Sequence, residues 1–310
     1  MEQNVHLALA MWGMESAHAQ LVAQRENHVY RVEYCGQVYA LRLHRPGYRT
    51  ADELISELNW CAHLADQGLH VPRPIADRNG CLLNPLADTH VSVLQWLNGA
   101  PIGQETTIEG DPLAMAKRVG REMARLHTVT DSWQPPDEFI RPDWTLEALI
   151  GDTPLWGPYW DHPELTSVNR SLFDDATRKA RDNATLFVGD TGLIHADLVS
   201  ENLLVNGTRI GLLDFDDSAI GYRAFELATF LIRYVERPDF DALRSALITG
   251  YADRRVVSTD ELDLALLLRA LTYVGWIIPR RSEPGGEARS KRMISRALRQ
   301  ANSYLKRSPS

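Results

Sequence analysis

Lysine and cysteine are both scarce in this chain of 310 residues. The first of the four lysines is Lys117, so any chemistry that needs a basic side chain earlier in the chain must use another residue type. The three cysteines, Cys35, Cys61 and Cys81, lie far apart and form no C-x-x-C pair, which argues against a disulfide framework or a structural zinc site. We therefore expect a reducing compartment, the cytoplasm.

Long apolar runs and an excess of positive charge are also absent. The longest apolar run, 262–278, is interrupted by Asp263 and Arg269, and the N-terminus has no basic segment of the kind that opens a signal peptide. Acidic residues outnumber basic ones by 41 to 33, which gives a net charge of −8 and a field that repels phosphate backbones. We therefore expect no membrane span and no nucleic-acid partner.

The composition that remains is that of a globular protein, with 44% hydrophobic and 24% charged residues. A chain of this length suggests two domains or lobes at roughly 150 residues each. The change from β-type to helical patterning places the boundary after residue 97. We expect a nucleotide-binding lobe over 1–97 and a catalytic, substrate-binding lobe over 98–310.

The first lobe reads as a small antiparallel sheet with one main helix. Two β-type runs, 29–34 and 37–43, flank Cys35-Gly36 and predict a hairpin, and a third run covers 91–97. Apolar residues between Pro46-Gly47 and Gly68 recur at helical spacing. The second lobe is mostly helical from Asp111 on, with a hairpin predicted around Asn206-Gly207, so the fold class is α+β.

One stretch combines residues that phosphoryl transfer requires. His195-x-Asp197-x-x-x-x-Asn202 is followed by the predicted hairpin, which returns Asp214 to the neighbourhood of Asn202. Such chemistry needs one carboxylate to accept the hydroxyl proton, while an amide and a second carboxylate hold Mg²⁺. Each residue alone is an ordinary turn former, but their joint spacing favours a site.

A competing interpretation takes Asp214-Phe215-Asp216 as the aspartyl nucleophile motif of a phosphatase. Such a site also needs a cationic partner and a following βα crossover. Only Lys291 and Lys306 lie downstream among the lysines, and the remainder of the chain is patterned as helix. We therefore favour phosphoryl transfer.

With these motifs the sequence resembles the aminoglycoside phosphotransferase and choline kinase superfamily, the small-molecule kinases. It looks closest to the branch that contains homoserine kinase type II and the bacterial stress-response kinases, over about residues 21–281. The resemblance implies a bilobal protein-kinase-like fold, ATP and Mg²⁺ as cofactors, and transfer of the γ-phosphoryl group to a hydroxyl. The alternatives are a nucleotide-binding pseudokinase and a Ser/Thr protein kinase of the stress-response type.

Carried over from the family, the catalytic loop assigns Asp197 as the base, with Asn202 and Asp214 as metal ligands. This chain departs from the family pattern at Ala196, where glycine is commoner, and at Val199, where histidine often stands. Glu226 replaces the usual aspartate of the next helix, and we interpret it as structural.

The nucleotide side of the resemblance rests on the strand 38–43, which matches the family's Ala-x-Lys strand. Alternation puts Ala40 and Arg42 on one face, so Ala40 would lie against adenine and Arg42 would reach the phosphates in place of lysine. Arginine keeps the charge but has a different geometry, which is why a pseudokinase stays an alternative. The pairing acid on the helix is Glu57 by family spacing, with Glu53 one turn away.

Two further segments complete the predicted nucleotide site. The family hinge matches Gln95, Trp96 and Leu97, where backbone amides of an edge strand would bind adenine. In the absence of a G-x-G-x-x-G motif, the segment 24–27 between the first two strands is expected to cradle the phosphates.

We expect the acceptor to be a small hydroxyl compound. The helix with Glu226 begins about a dozen residues after Asp214, which leaves no room for the activation segment of a protein kinase. The Trp-rich stretch 131–161 is either a loop packed by its own aromatics or a pocket wall. Asp216, Asp217 and Glu226, together with the net charge, suggest an acceptor that carries an amine.

Overall fold

The computed structural model describes residues 2–24, 27–187 and 190–307. Its internal contacts divide the chain into two compact units. The first contains the residues up to 100 together with 132–141 and 203–216, and the second contains 101–131, 142–202 and the chain from 217 on. The division at residue 97 into a nucleotide-binding and a catalytic lobe stays a prediction.

An antiparallel sheet of six strands forms the frame of the first unit. The strand order is β1-β2-β3-β6-β4, and β5 pairs with β6. Its helices and strands are α1 Glu2–Met11, β1 His18–Gln24, β2 His28–Tyr34, β3 Gln37–Leu43, α2 Ala51–Asp66, β4 Pro74–Ile75, β5 Asn84–Leu86 and β6 Thr89–Gln95. The predicted small antiparallel sheet and its β2–β3 hairpin are confirmed.

The two faces of β3 have different environments. Leu41 and Leu43 are buried in an apolar cluster with Leu9 of α1 and with Trp12, which follows that helix. The Trp12 indole donates a hydrogen bond to the Ile75 carbonyl at 2.7 Å. Alternation along the strand therefore turns Arg42 to the opposite face. The sequence patterns did not predict α1, although it completes this side of the core.

A capping box starts α2. The Thr50 hydroxyl accepts a hydrogen bond from the Glu53 N–H at 3.2 Å, and the Glu53 carboxylate accepts one from the Thr50 N–H at 2.9 Å. Glu53 is therefore a helix cap. Glu57, one turn later, has only 1% of its surface exposed and is the acid that faces the interior.

The hairpin predicted from Asn206-Gly207 is confirmed and belongs to the first unit. Strand β10, Leu203–Asn206, pairs antiparallel with β11, Arg209–Leu212, and Gly207 has a φ of 59° at the turn. The Leu212 N–H donates to the His70 carbonyl at 2.9 Å, which fastens the hairpin to the segment after α2. A short strand β7, Ala100–Pro101, precedes the second unit's first helix.

The second unit is mostly helical, as predicted. Its elements are α3 Pro112–Asp131, β8 Asp143–Trp144, α4 Leu146–Ile150, α5 Ser167–Asp182, β9 Thr191–Ile194, β12 Ala219–Tyr222, α6 Arg223–Leu231, α7 Phe240–Tyr251, α8 Thr259–Trp276 and α9 Gly286–Lys306. The three short strands form one sheet in the order β8-β12-β9. Within residues 2–24, 27–187 and 190–307, no helix is both long and apolar enough to cross a membrane.

The Trp-rich stretch is mainly a loop packed by aromatic rings. Trp144 is buried and meets Trp156 edge-on at a centroid distance of 5.7 Å, and it meets Phe225 of α6 at the same distance. Trp133 behaves differently, because it belongs to the first unit and stacks on His63 of α2 at 5.2 Å. The predicted stretch is therefore divided between the two units.

Helices α3 and α7 approach each other through glycines. A Cβ built on Gly120 would lie 2.1 Å from the Leu247 carbonyl oxygen, and one on Gly250 would lie 1.9 Å from the Lys117 carbonyl oxygen. Real side chains do not reach such distances, so both positions require the hydrogen of glycine. This close contact sets the position of α3.

We expect Gly120→Ala to destabilise the protein, although helix propensity alone would stabilise it by about 1 kcal/mol. The methyl group has to push α7 away, and such overpacking costs about 1–3 kcal/mol. Urea denaturation measures the free energy of unfolding. Ala114→Gly, at an exposed position of the same helix, is the control for propensity, and a more stable Gly120→Ala variant would contradict the packing argument.

Candidate active site

The loop that carries Asp197 is held in place by one buried carboxylate, that of Glu226. It follows β9, and Ala196 adopts a left-handed conformation with a φ of 68°. The Glu226 carboxylate of α6 accepts hydrogen bonds from the N–H groups of His195 at 2.7 Å and Ala196 at 2.9 Å. Glu226 thus fixes the strained turn, in agreement with the structural role expected from the sequence.

The surroundings of Glu226 are fully buried. Burial raises the pKa of Glu226, while His195 and the two backbone hydrogen bonds act in the opposite direction. His127 of α3 lies with Nε2 3.5 Å from Glu226 and with Nδ1 2.9 Å from the Tyr251 hydroxyl. Because burial lowers the pKa of His127 well below its usual value, this imidazole is neutral at pH 7.

Asp197 and Asn202 contact each other within the loop. The Asn202 Nδ2 group donates to the Asp197 carbonyl at 2.9 Å and to its carboxylate Oδ2 at 3.2 Å. This contact fixes the orientation of the amide and leaves Oδ1 as the end of Asn202 that can meet a cation. The sequence motif therefore folds into a connected pair of side chains.

Arg269 of α8 is a partner of Asp197 that the sequence motifs did not identify. It donates to Asp197 Oδ1 at 3.1 Å and to the Tyr273 hydroxyl at 2.8 Å, and its guanidinium lies 4.1 Å from the Tyr273 ring centroid. Burial raises the pKa of Asp197, and Arg269 and Arg233 oppose that shift. The only sequence signal was a charge inside the longest apolar run.

The remaining part of the loop is fastened by Glu201. Its two carboxylate oxygens accept from Arg233 Nη1 at 2.5 and 2.6 Å. The Tyr234 hydroxyl donates to Ser200 Oγ at 3.2 Å. Both partners follow α6, so the same segment that supplies Glu226 also orders the second half of the loop.

In the first unit, Arg42 is paired with two acids. Its Nη1 lies 2.7 Å from Glu57 Oε1 and its Nη2 lies 3.1 Å from Asp216 Oδ1, with 9% of the side chain exposed. The pairing of Arg42 with Glu57 is thus present as predicted from spacing. Burial acts to lower the pKa of Arg42, but the carboxylates of Glu57 and Asp216 outweigh it and raise that pKa, so the guanidinium is charged.

The predicted hinge requires a correction. Strand β6 lies between β3 and β4 and is not an edge strand. The Gln95 N–H donates to the Arg73 carbonyl at 2.7 Å and the Trp96 N–H to the Val38 carbonyl at 3.3 Å, so these amides are engaged within the first unit. Ala40 is half-buried on the neighbouring strand. The adenine contacts of Ala40 and Leu97 stay predictions.

Of the segment 24–27, expected to cradle the phosphates, Arg25 and Glu26 lie outside the described residues. Asn27 is described and is buried. Its Nδ2 group donates to Asp216 Oδ2 at 2.8 Å, and its Oδ1 accepts from the Arg45 N–H at 3.1 Å. One end of this segment is therefore tied to the acid that pairs with Arg42.

Asp214 differs from the two residues that follow it. It is exposed and has a φ of 64°, whereas Phe215 and Asp216 are buried. Phe215 packs edge-on against Trp60 of α2 with a centroid distance of 5.2 Å. No group of three or more His, Cys, Asp or Glu side chains in the described part of the chain could hold a metal by itself.

Two of the acids from which we expected an amine-bearing acceptor have partners within the protein. Asp216 is engaged by Arg42 and Asn27, and both oxygens of Glu226 accept hydrogen bonds from backbone N–H groups. The amine-bearing acceptor stays a prediction.

An antiparallel sheet that carries the Arg42–Glu57 pair, and a mostly helical unit that carries the Asp197–Asn202 loop, are the features of a protein-kinase-like fold. The chain belongs to the phosphotransferase enzyme family, whose model matches residues 18–267. The predicted family and fold class are confirmed.

Two relatives and one solved structure that match this chain are named as kinases. The chain is 28% identical to amicoumacin kinase of Bacillus subtilis (strain 168) over 72% of its own length and 65% of that protein. It is 28% identical to homoserine kinase of Gluconobacter oxydans (strain 621H), over 68% and 65%. The chain thus spans just under two thirds of the length of these relatives. A solved microcompartment-associated aminopropanol kinase is 27% identical, with a TM-score of 0.85 and 98% of both chains covered.

We expect Glu226→Ala to lower the free energy of unfolding by about 3 kcal/mol or more, because two buried N–H groups lose a charged acceptor. Glu226→Gln retains one acceptor oxygen and is expected to lose less. Urea denaturation of both variants checks the order. Equal losses would contradict the idea that the two hydrogen bonds to His195 and Ala196 carry the effect.

Proposed function

We propose that this protein is an ATP-dependent kinase that transfers the γ-phosphoryl group to a hydroxyl of a small molecule. The observation that carries the proposal is the contact between Asp197 and Asn202. It lies in a loop whose left-handed turn at Ala196 is held by the Glu226 carboxylate. Family membership supports the same reaction class.

In this reaction Asp197 accepts the proton of the acceptor hydroxyl. The hydroxyl oxygen then forms a bond to the γ-phosphorus, the bond between that phosphorus and the β–γ bridging oxygen breaks, and ADP leaves. A pKa raised by burial suits a carboxylate that has to take up a proton. Arg269 holds the carboxylate in place from α8.

A divalent cation, which we propose to be Mg²⁺, would be held by Asn202 and Asp214. The residues fit this ion because Asn202 has its amide nitrogen engaged by Asp197 and its oxygen left over, and because Asp214 is an exposed carboxylate. Hard oxygen donors are the ligands that Mg²⁺ prefers. When bound, the ion supplies neutralisation of phosphate charge.

Arg42 and Glu57 support an active nucleotide site rather than a pseudokinase. Arg42 is charged, buried and paired with Glu57, which is the ion pair expected of a kinase whose phosphate-binding cation is in place. We propose that Arg42 takes the role of the usual lysine. Ala40 and Leu97 are proposed to contact the adenine.

The proposed acceptor is a small molecule. Helix α6 already begins at Arg223, so the chain after Asp214 is too short for the activation segment that presents peptides to a protein kinase. The named relatives act on amicoumacin, homoserine and aminopropanol, and the last two compounds carry both a hydroxyl and an amine. We therefore propose an amine-bearing alcohol as the acceptor. We propose that the reaction takes place in the cytoplasm, where the three free cysteines stay reduced.

We expect one amino alcohol or hydroxy amino acid from a panel to accelerate ADP release from ATP, because the loop is built to activate a hydroxyl. Asp197→Ala should reduce that turnover by ~10²-fold or more while ATP affinity stays nearly unchanged, since the base is lost and the nucleotide site is not. Coupled ADP detection measures both. Faster phosphorylation of generic proteins than of any metabolite would overturn the proposal, and so would an Asp197→Ala variant of near-normal turnover.

We expect ATP to raise the melting temperature more strongly with Mg²⁺ than without it, and Asp214→Asn to remove most of that difference. The reason is that Asp214 would hold the ion, which would neutralise phosphate charge when ATP binds. Thermal shift titrations with ATP and either Mg²⁺ or EDTA provide the measurement. Asp88→Asn, an exposed acid of the same unit, is the matched control. Equal stabilisation in both conditions would count against the metal assignment.

A further inference from the structure

We propose that Asp216 is a positioning residue of the nucleotide site, which acts through Arg42 and makes an arginine usable where the family has a lysine. The inference rests on the proposed function, in which Arg42 binds the phosphates of ATP. The geometry points to it because Asp216 joins Arg42, Asn27 and Arg141, which come from three separate segments of the first unit.

Both carboxylate oxygens and the main-chain carbonyl of Asp216 accept hydrogen bonds from side chains of the first unit. Its Oδ1 accepts from Arg42 Nη2 at 3.1 Å, its Oδ2 from Asn27 Nδ2 at 2.8 Å, and its main-chain carbonyl from Arg141 Nη2 at 2.6 Å. Arg141 also donates to the Glu53 carbonyl of α2 at 3.0 Å. The carboxylate therefore has one defined position, which a solvated turn acid would not have.

The guanidinium geometry explains why a second acid is useful. Arginine presents its donors as a planar fork, so Nη1 can bind Glu57 while Nη2 binds Asp216. Glu57 alone would leave the plane of the guanidinium free to rotate about that contact. A lysine ammonium is a compact point charge with no plane to orient, so it needs no second acid.

Hydrogen bonding within the cluster favours Asp216 as the more firmly held acid beside Arg42. The Glu57 Oε2 atom is buried without a hydrogen-bond partner among the described residues. Both carboxylate oxygens of Asp216, by contrast, accept hydrogen bonds, one from Arg42 and one from Asn27.

The same contacts reach the proposed metal ligand along the chain. Phe215 is fixed against Trp60, and Asp216 is fixed by Arg42 and Asn27, so the segment just after Asp214 has little freedom. Asp216 therefore holds both Arg42, the proposed phosphate-binding cation, and the segment that carries Asp214, the proposed metal ligand.

A double-mutant cycle tests the proposal. We expect Asp216→Asn to raise the KM for ATP by ~10-fold, with a much smaller change in the KM for the acceptor, because a misaligned Arg42 weakens nucleotide binding. In an Arg42→Lys background the same change should raise the KM for ATP by less than about 2-fold, since lysine does not use the second acid. Asp66→Asn, at an exposed acid paired with Arg73 in the same unit, is the control and should leave both constants unchanged.

Three results would overturn the inference: an unchanged KM for ATP in Asp216→Asn, a lowered one, which would make Asp216 a competitor of the nucleotide, or an equal rise in both backgrounds. Arg42→Ala keeps the two proposals apart. If it leaves the KM for ATP unchanged, the nucleotide role of Arg42 in the proposed function fails. If it raises that KM while Asp216→Asn does not, only the present inference fails.

Should Asp216→Asn fold poorly in a melting assay, Asn27→Ala gives the second measurement. It removes one of the two side-chain contacts of Asp216 and leaves Arg42 and Glu57 in place. We expect a rise of ~3-fold in the KM for ATP, again only in the background with arginine at position 42. No rise in that background would overturn the proposal.

Discussion

A charged group placed inside a protein has to be paired, and the buried guanidinium of Arg42 imposes this requirement on the first unit. Desolvating such an ion costs several kcal/mol, and removing one partner of a buried pair typically costs about 3–5 kcal/mol. The two acids that pair with Arg42 are Glu57 of α2 and Asp216, which follows the β10–β11 hairpin. One cation therefore fixes the sheet, the main helix and the hairpin relative to one another within that unit.

The second unit uses the same principle with the sign reversed. Glu226 is a fully buried acid, and its oxygens accept hydrogen bonds from two backbone N–H groups of the loop that carries Asp197, with no arginine or lysine at hydrogen-bond distance among the residues described. Backbone donors cannot move away as side chains can, so the carboxylate keeps the left-handed turn at Ala196 in place. Asp197 follows that turn directly, and its geometry depends on this buried acid.

Short-range patterns predicted a large part of these features. The Asn206-Gly207 turn and the strand alternation that turns Arg42 away from Leu41 are local properties of the backbone, and the structure contains both. The pairing of Glu57 with Arg42, which the family resemblance implied, is also present. The Asp197–Asn202 contact spans five residues and also follows from local spacing. The edge-strand assignment of Gln95 failed because a two-residue strand, β4, is too short to leave a pattern in the sequence.

What the sequence by itself determined is the α+β class, the family, and the local spacing that places Asp197 near Asn202. Only the tertiary structure decided which charges meet. Arg269 is far from Asp197 along the chain, and Asp216 is far from Arg42, so no periodicity relates them. Those contacts arise because burying an ion is costly unless an opposite charge reaches it, and which distant residue satisfies that demand depends on how the helices and the hairpin pack.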